Sequence, residues 1–433
     1  MNKKKNILIV SYSYPPSNAP AAQRPYSLAK YLNKSKYNVT VITCSNADSS
    51  LGIDYSDKLK LDNVKLIKIH TKFQKYISTY RPETSQVTKV NNNVSQKFKS
   101  FIFKIGSKLI IPDKAAFWHL NVKKYLNKNN NIIETTDCLI TTSPLISNHI
   151  LGNYIKSKKK HINWIADFRD FHYLENWFYS KKIFSLYHKI IEKKIIKNSD
   201  SLTFVSLSMK KSYETFYDNY KYKMNVIYNG FDCEDFIDQN INNEKNKKLT
   251  IFYAGSFYNG IRSPLPLLSL LDNAIESGII NNNKILIKIA GNIEHKILEE
   301  TKKFKSYSCI NYMGKIPRSE VLIEMRKSNV LWLIIGNKKS HYKSIPLKFF
   351  EYLASNKPIL NFAPALSEST MLIDKYNLGW NFENSIDNND FLKFNKILND
   401  FKFQDYKLNI SQEITNYYTR KNQTKLFELL IDD

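Results

Sequence analysis

The chain has 433 residues, of which 42% are hydrophobic and 13% aromatic, enough to build the cores of two or three domains and too much for a disordered protein. Sixty-five Lys and Arg against 39 Asp and Glu give a formal net charge of +26, so the surface attracts anions: nucleic acid, an anionic bilayer face or a phosphorylated substrate. No run approaches the ~18 apolar residues of a membrane span, and Ile7–Val10 is too short for a secretory signal. Cys44, Cys138, Cys233 and Cys309 are scattered without C-x-x-C spacing, which argues against a zinc site or a disulfide framework and for a reduced cytosolic compartment.

In chain order, short β-branched runs alternate with segments of helical spacing. The runs are Ile7–Ser11, Val39–Thr43, Val64–Ile69, Cys138–Thr142, Ile162–Asp167, Ser201–Val205 and Asn225–Tyr228, then Leu249–Ala254, Ile285–Ala290, Ile310–Met313, Val330–Ile335 and Pro358–Phe362. Nearly continuous apolar runs of this length suit strands buried on both faces of a parallel sheet, and the helical stretches between them supply the crossovers. The pattern predicts two doubly wound α/β domains. A turn at Asn229-Gly230 and the polar run to Asn246 mark the join, which places an N-terminal domain over 1–236 and a second over 237–410. Ser411 onward reads as one amphipathic helix, over 411–433.

Ligands of open α/β sheets bind beyond the carboxyl ends of the strands, so candidate site residues are sought there. The first strand leads through Tyr14-Pro15-Pro16 to a helix carrying Arg24 in its first turns. The fifth ends in Asp167-Phe168-Arg169-Asp170, three charges in four residues, which a buried strand end tolerates only if they are paired or used. In the second half, Gly255-Ser256 with Arg262 nearby, Gly291-Asn292, and Gly314-Lys315-Ile316-Pro317 each follow a strand. A small residue lets backbone approach a phosphate, and Arg clamps it; each segment is equally compatible with an ordinary strand-to-helix turn. Further on, Lys348 and Glu351 share one face of a helix opening near Pro346, where a pyrophosphate would meet the helix start and Lys348 while Glu351 accepts ribose hydroxyls. A surface ion pair explains the same spacing.

Taken together and in this order, Tyr14-Pro15-Pro16…Gln23-Arg24-Pro25, Pro112-Asp113…Trp118, Thr142-Ser143-Pro144…His149, Trp164–Asp170, Val226–Asp232 and Lys348…Glu351-Tyr352-Leu353-Ala354 resemble the retaining glycosyltransferases of the GT-B fold, family 4. The resemblance runs from about residue 5 to 365. It implies two facing Rossmann-like domains, with a C-terminal helix crossing back to the first. The second domain would hold a nucleotide-sugar donor and the first an acceptor. Glu351 matches the ribose-binding glutamate, Arg262 and Lys348 are the pyrophosphate-binding cations, and the main chain around Ile316 would meet the nucleobase. Gly255, Ser256 and Gly291 complete the donor set. Arg24 and His149 fall to acceptor binding, and Asp167, Arg169 and Asp170 would position the acceptor for reaction. Two departures stand out: Lys343 occupies the position of a second, sugar-contacting glutamate, and Asn18-Ala19-Pro20-Ala21-Ala22 replaces a glycine-rich loop.

With no D-x-D cluster for Mg²⁺, the positive charge of Arg262, Lys348 and helix starts is expected to carry a metal-independent, cofactor-free transfer. The acceptor would be a glycan or a lipid-linked sugar in bacterial surface polysaccharide assembly. Eight lysines against Asp113 between Lys97 and Lys128, with Phe98, Ile102, Ile105 and Leu109 on one helical face, predict contact with the cytoplasmic face of an anionic inner membrane, and a core-packing helix with a basic side explains them equally. A second basic region spans Lys156, Lys158–Lys160, Lys181, Lys182, Lys189, Lys193 and Lys194. Three alternatives use the same features: a GT-B sugar-nucleotide epimerase, a nucleic-acid-binding protein, for which no recognition motif is present, and a non-catalytic scaffold.

Overall fold

The computed structural model describes residues 3–17, 19–47, 60–71, 111–174, 184–237, 248–258, 260–400 and 408–433. These form two compact units: residues up to Asn229 together with Arg420–Asp433, and Gly230–Thr419.

The first unit is built on β1 (Lys5–Val10), β2 (Tyr37–Cys44), β3 (Val64–Ile69), β4 (Cys138–Thr142), β5 (Asn163–Phe168), β6 (Ser201–Phe204) and β7 (Met224–Val226). Their order is β3-β2-β1-β4-β5-β6-β7, every neighbour parallel. The alternation of a strand's side chains makes the sheet two-sided. From β1, Leu8 and Val10 enter a core with Trp118, Leu151, Trp164 and Phe204, whereas Ile7 and Ile9 point into a second core with Val41, Ile140 and Ile165. The last helix, Arg420–Asp432, closes that second face with Phe427 and Ile431.

The second unit carries β8 (Leu249–Ala254), β9 (Ile285–Ala290), β10 (Ile310–Gly314), β11 (Val330–Ile334), β12 (Ile359–Phe362) and β13 (Gly379–Phe382), ordered β10-β9-β8-β11-β12-β13 and again all parallel. Its core joins Ile251, Tyr253, Ile287, Trp332 and Phe362 to the apolar helix Leu265–Glu276. Both units are therefore doubly wound parallel sheets. Strand order reverses between β1 and β4 in one and between β8 and β11 in the other, and these reversals are where such sheets open for ligands.

The C-terminal stretch is not one helix from 411. Gln412–Tyr417 and Arg420–Asp432 are separate, and only the second belongs to the first unit. At the break the Phe231 N–H donates to the Tyr418 carbonyl at 3.0 Å and its backbone bridges Thr419, taking up a carbonyl that a continuous helix would use itself. The two units meet in the chain at Asn229 and Gly230, the turn that opens the expected join. β13 is a strand with no signal in the apolar pattern, because it is a four-residue edge strand, half-buried and interrupted by Asn381. The basic amphipathic segment with Phe98, Ile102, Ile105 and Leu109 lies outside the described residues. In the second basic region, Lys156 pairs with Asp200 at 2.6 Å and Lys159 donates to the carbonyls of Glu134 and Thr136. Among the described residues no helix is long and apolar enough to cross a membrane.

Candidate active site

In the second unit, three adjacent strands end on glycines with positive φ: Gly255 (150°), Gly291 (142°) and Gly314 (66°). They are stitched in a row, the Gly255 N–H donating to the Ala290 carbonyl and the Gly291 N–H to the Gly314 carbonyl, both at 2.8 Å. A Cβ on Gly291 would stand 2.1 Å from the Gly255 carbonyl oxygen, so only glycine allows β8 and β9 to end this close together. Across the strand reversal, a Cβ on Gly336 would stand 2.7 Å from both His341 Nδ1 and Ile261 Cγ2. The loop after β8 and the loop after β11 thus meet over the opening.

Cations gather there. Lys348 lies in the first turn of the helix Leu347–Ala354, whose N-terminus carries no side-chain cap. Its Nζ donates to the Ala254 carbonyl at 3.1 Å and sits 4.1 Å from the centre of the Tyr253 ring. Burial and the nearby Arg262 charge push the Lys348 ammonium well below its ordinary pKa, and Glu351 opposes them. Arg262 stacks over Tyr258 at 4.9 Å and stands close enough to depress His341 as well, after burial. Two cations held this near one another, with a histidine beside them, form a site suited to an anion. Gly255, Ser256, Gly291, Arg262 and Lys348 are brought together. Ser256 takes part through its carbonyl, which accepts from the Tyr253 hydroxyl.

Glu351, one turn beyond Lys348, is buried, its side chain only 8% exposed. Arg318, a residue without a sequence signal, holds it: Nη1 donates to Glu351 Oε1 at 2.6 Å and Nη2 to Asp235 Oδ2 at 2.7 Å. Thirty-three residues separate Arg318 from Glu351 and no periodicity connects them. Ile316 is half-buried just before the helix Arg318–Lys327.

In the first unit the strand-end charges are arranged differently from expectation. Asp167 is fully buried and saturated, with Oδ1 accepting from Arg24 Nη2 (2.8 Å) and Thr203 (2.6 Å), and Oδ2 from Arg24 Nε (2.8 Å) and Thr142 (2.7 Å). Burial raises its pKa, but the Arg24 charge and these hydrogen bonds outweigh it and hold the carboxyl below its ordinary value. Arg24 also donates to the carbonyls of Tyr228 (2.7 Å) and Ile227 (2.9 Å). The pair ties β4, β5 and β6 to the first helix, and both Asp167 oxygens are engaged within the first unit.

Arg169 donates to the Ala21 carbonyl at 2.7 Å and the Pro20 carbonyl at 3.2 Å, while its buried Nε has no partner among the described residues. His149 is fully buried and stacked on Phe168 at 4.6 Å. Trp164 Nε1 donates to Thr141 Oγ1 at 2.9 Å, and the same hydroxyl hydrogen-bonds His149 Nδ1 at 2.7 Å, while the buried Nε2 has no partner among the described residues. Burial holds the ring neutral, with a pKa down to about 4. Asp170 is the exception. It is half-buried at the strand end, its carboxyl makes no hydrogen bond among the described residues, and burial raises its pKa against the pull of Arg169.

No protein-family model matches the sequence, and no curated protein matches it. Its fold has parallels among solved structures. Sucrose-phosphate synthase from Thermosynechococcus elongatus matches over 99% of this chain and 98% of its own at 12% identity, with a TM-score of 0.63. An α,α-trehalose-phosphate synthase (UDP-forming) from Burkholderia vietnamiensis matches over 99% and 100% at 10% identity, TM-score 0.60. A putative UDP-N-acetylglucosamine 2-epimerase from Listeria monocytogenes matches over 99% and 96% at 10% identity, TM-score 0.54. The two parallel α/β sheets are those of the GT-B fold, and its glycosyltransferases are among this chain's structural neighbours. At these identities the likeness concerns the fold.

Proposed function

We propose that this protein is a glycosyltransferase that moves a sugar from a nucleotide-sugar donor, held by the second unit, to a glycan or lipid-linked acceptor. The observation that supports it best is the meeting of Lys348 and Arg262 at the glycine-lined ends of β8 and β9, with Glu351 one helical turn away. That arrangement suits a nucleoside diphosphate: phosphate oxygens against the cations and the bare helix start, ribose hydroxyls against the carboxylate. In the reaction the bond from the anomeric carbon to the diphosphate breaks and its electron pair stays on phosphate, where Lys348 and Arg262 stabilise it. The acceptor hydroxyl forms the new bond, and its proton passes to the leaving phosphate, which gives retention of configuration without a metal. Asp170, at the end of β5, is the carboxyl available for orienting the acceptor. By the resemblance in sequence, the acceptor belongs to surface polysaccharide assembly, reached from the cytoplasmic face of the membrane.

Titration calorimetry with UDP-, GDP- and CDP-sugars, followed by transfer assays on the one that binds, tests the proposal. Binding and turnover that both fall about tenfold or more in Lys348→Ala and Glu351→Ala support it. No binding of any nucleotide sugar rejects it. Transfer that EDTA abolishes and Mg²⁺ restores removes the metal-independent step alone. The epimerase among the structural neighbours supplies a second reading. Under that reading, the purified protein would convert a nucleotide sugar into its epimer with no acceptor present.

A further inference from the structure

We infer that Arg318 is a positioning residue for ribose recognition: clamped between Asp235 and Glu351, it fixes the Glu351 carboxylate so that its remaining oxygen faces the two hydroxyls of a ribonucleotide. The inference rests on the donor reading above and goes beyond it to a residue with no assigned role. A glutamate with free side-chain torsions loses rotamer entropy when it binds a diol, and holding it beforehand removes that cost. Here the holding is specific. The planar guanidinium spends one nitrogen on Glu351 Oε1 at 2.6 Å and another on Asp235 Oδ2 at 2.7 Å, a fork that lysine cannot reproduce. Oε2 of Glu351 makes no hydrogen bond among the described residues.

The other end of the clamp is itself anchored. Asp235 sits on the short helix Glu234–Ile237, where Phe236 packs edge-on against Phe231 at 5.8 Å and beneath the Arg326 guanidinium at 5.9 Å. Arg318 is 44% exposed and Glu351 only 8%, so the arginine forms the solvent side of the pair while the carboxylate is turned inward. An arginine serving only to neutralise a buried carboxylate would not need a second acidic partner. The second partner sets its direction.

Calorimetry of UDP, GDP and CDP, each beside its 2′-deoxy counterpart, on wild-type protein, Arg318→Gln and Arg318→Lys tests this. Inorganic pyrophosphate, which has no ribose, reports on the fold and the cation site. Wild-type protein should prefer the ribose form of the nucleotide it binds by about tenfold or more, as expected for hydrogen bonds to a charged acceptor. In R318Q that preference should fall below about twofold while pyrophosphate affinity is unchanged, and R318K should lie between the two. A preference in R318Q equal to the wild type overturns the inference, as does a parallel loss of pyrophosphate affinity. If R318Q does not fold, R318K carries the test by the same criterion. Wild-type protein that binds none of the three nucleotides overturns the donor reading itself.

Discussion

Arg24 and Asp167, 143 positions apart in sequence, face each other through two hydrogen bonds of 2.8 Å, with side chains only 5% and 0% exposed. Both oxygens of the carboxylate are further claimed by Thr142 and Thr203. A charge this enclosed is costly when its partner is lost.

Asp167→Asn therefore leaves Arg24 buried beside a neutral amide and is expected to destabilise the first unit by about 3–5 kcal/mol. Denaturant unfolding measures it. Nucleotide binding by the second unit should be unchanged wherever the variant is folded. A D167N protein of normal stability that transfers no sugar would instead return Asp167 to the reaction.

The depressed Lys348 ammonium makes donor binding depend on pH. A diphosphate needs the protonated amine, whereas burial and Arg262 favour its loss in the free protein. Binding should thus take up a proton, and affinity should fall as pH rises toward the ordinary lysine pKa. Lys348→Arg, charged throughout, should flatten the profile. Calorimetry in two buffers of different ionisation enthalpy reads both effects, and an unaltered slope in K348R would detach the dependence from this residue.

Gly291→Ala should damage the same site from the backbone. The new methyl would stand 2.1 Å from the Gly255 carbonyl oxygen, at a φ of 142° that L-residues rarely adopt. The cost is expected to be at least about 1–3 kcal/mol for the conformation alone, with β8 and β9 forced apart beneath Lys348. Thermal unfolding and nucleotide affinity should both fall. Loss of stability without loss of affinity would mean that the strand ends do not shape the site.

Much of this architecture is legible in the apolar pattern, because strands buried on two faces leave little room for polar residues: every run from Ile7 to Phe362 lies on one of β1 to β12. The edge strand β13 is not legible, since its four residues, Gly379-Trp380-Asn381-Phe382, hold no continuous apolar run. The donor elements are legible for a related reason. Gly255, Gly291, Lys348 and Glu351 each sit at a fixed offset from a strand or a helix start, so local spacing locates them. The relationships that redefine the roles are long-range. Asp167 reads as an uncompensated strand-end charge until Arg24 is placed beside it, and Arg318 carries no local mark at all. Charge pairing between distant segments is a property of the folded chain, and Asp170 is distinguished from its neighbours only once theirs are accounted for.

A buried carboxyl in the first unit offers a last test, of linkage rather than of catalysis. Glu192, fully enclosed, accepts from the Tyr213 and Tyr217 hydroxyls at 3.1 and 2.9 Å and from the Tyr173 N–H at 2.8 Å. Burial outweighs these bonds and raises its pKa from 4.5 to about 7. A carboxyl whose folded value exceeds its unfolded one binds its proton more tightly in the native state, so its contribution is complete below the unfolded pKa and is lost as pH rises through the folded one. The buried histidines His119, His149 and His188, with pKa values down to about 4, act in the opposite sense over the same range. Their effect cancels when wild type is compared with Glu192→Gln, which cannot ionise. Each tenfold difference in proton affinity between the folded and unfolded chain is worth about 1.4 kcal/mol. The difference in unfolding free energy between the two proteins should therefore move in favour of the variant by up to about 3 kcal/mol between pH 4.5 and pH 7. Parallel melting curves across that interval would show that Glu192 ionises alike in both states, and that its tyrosine cage compensates fully for burial.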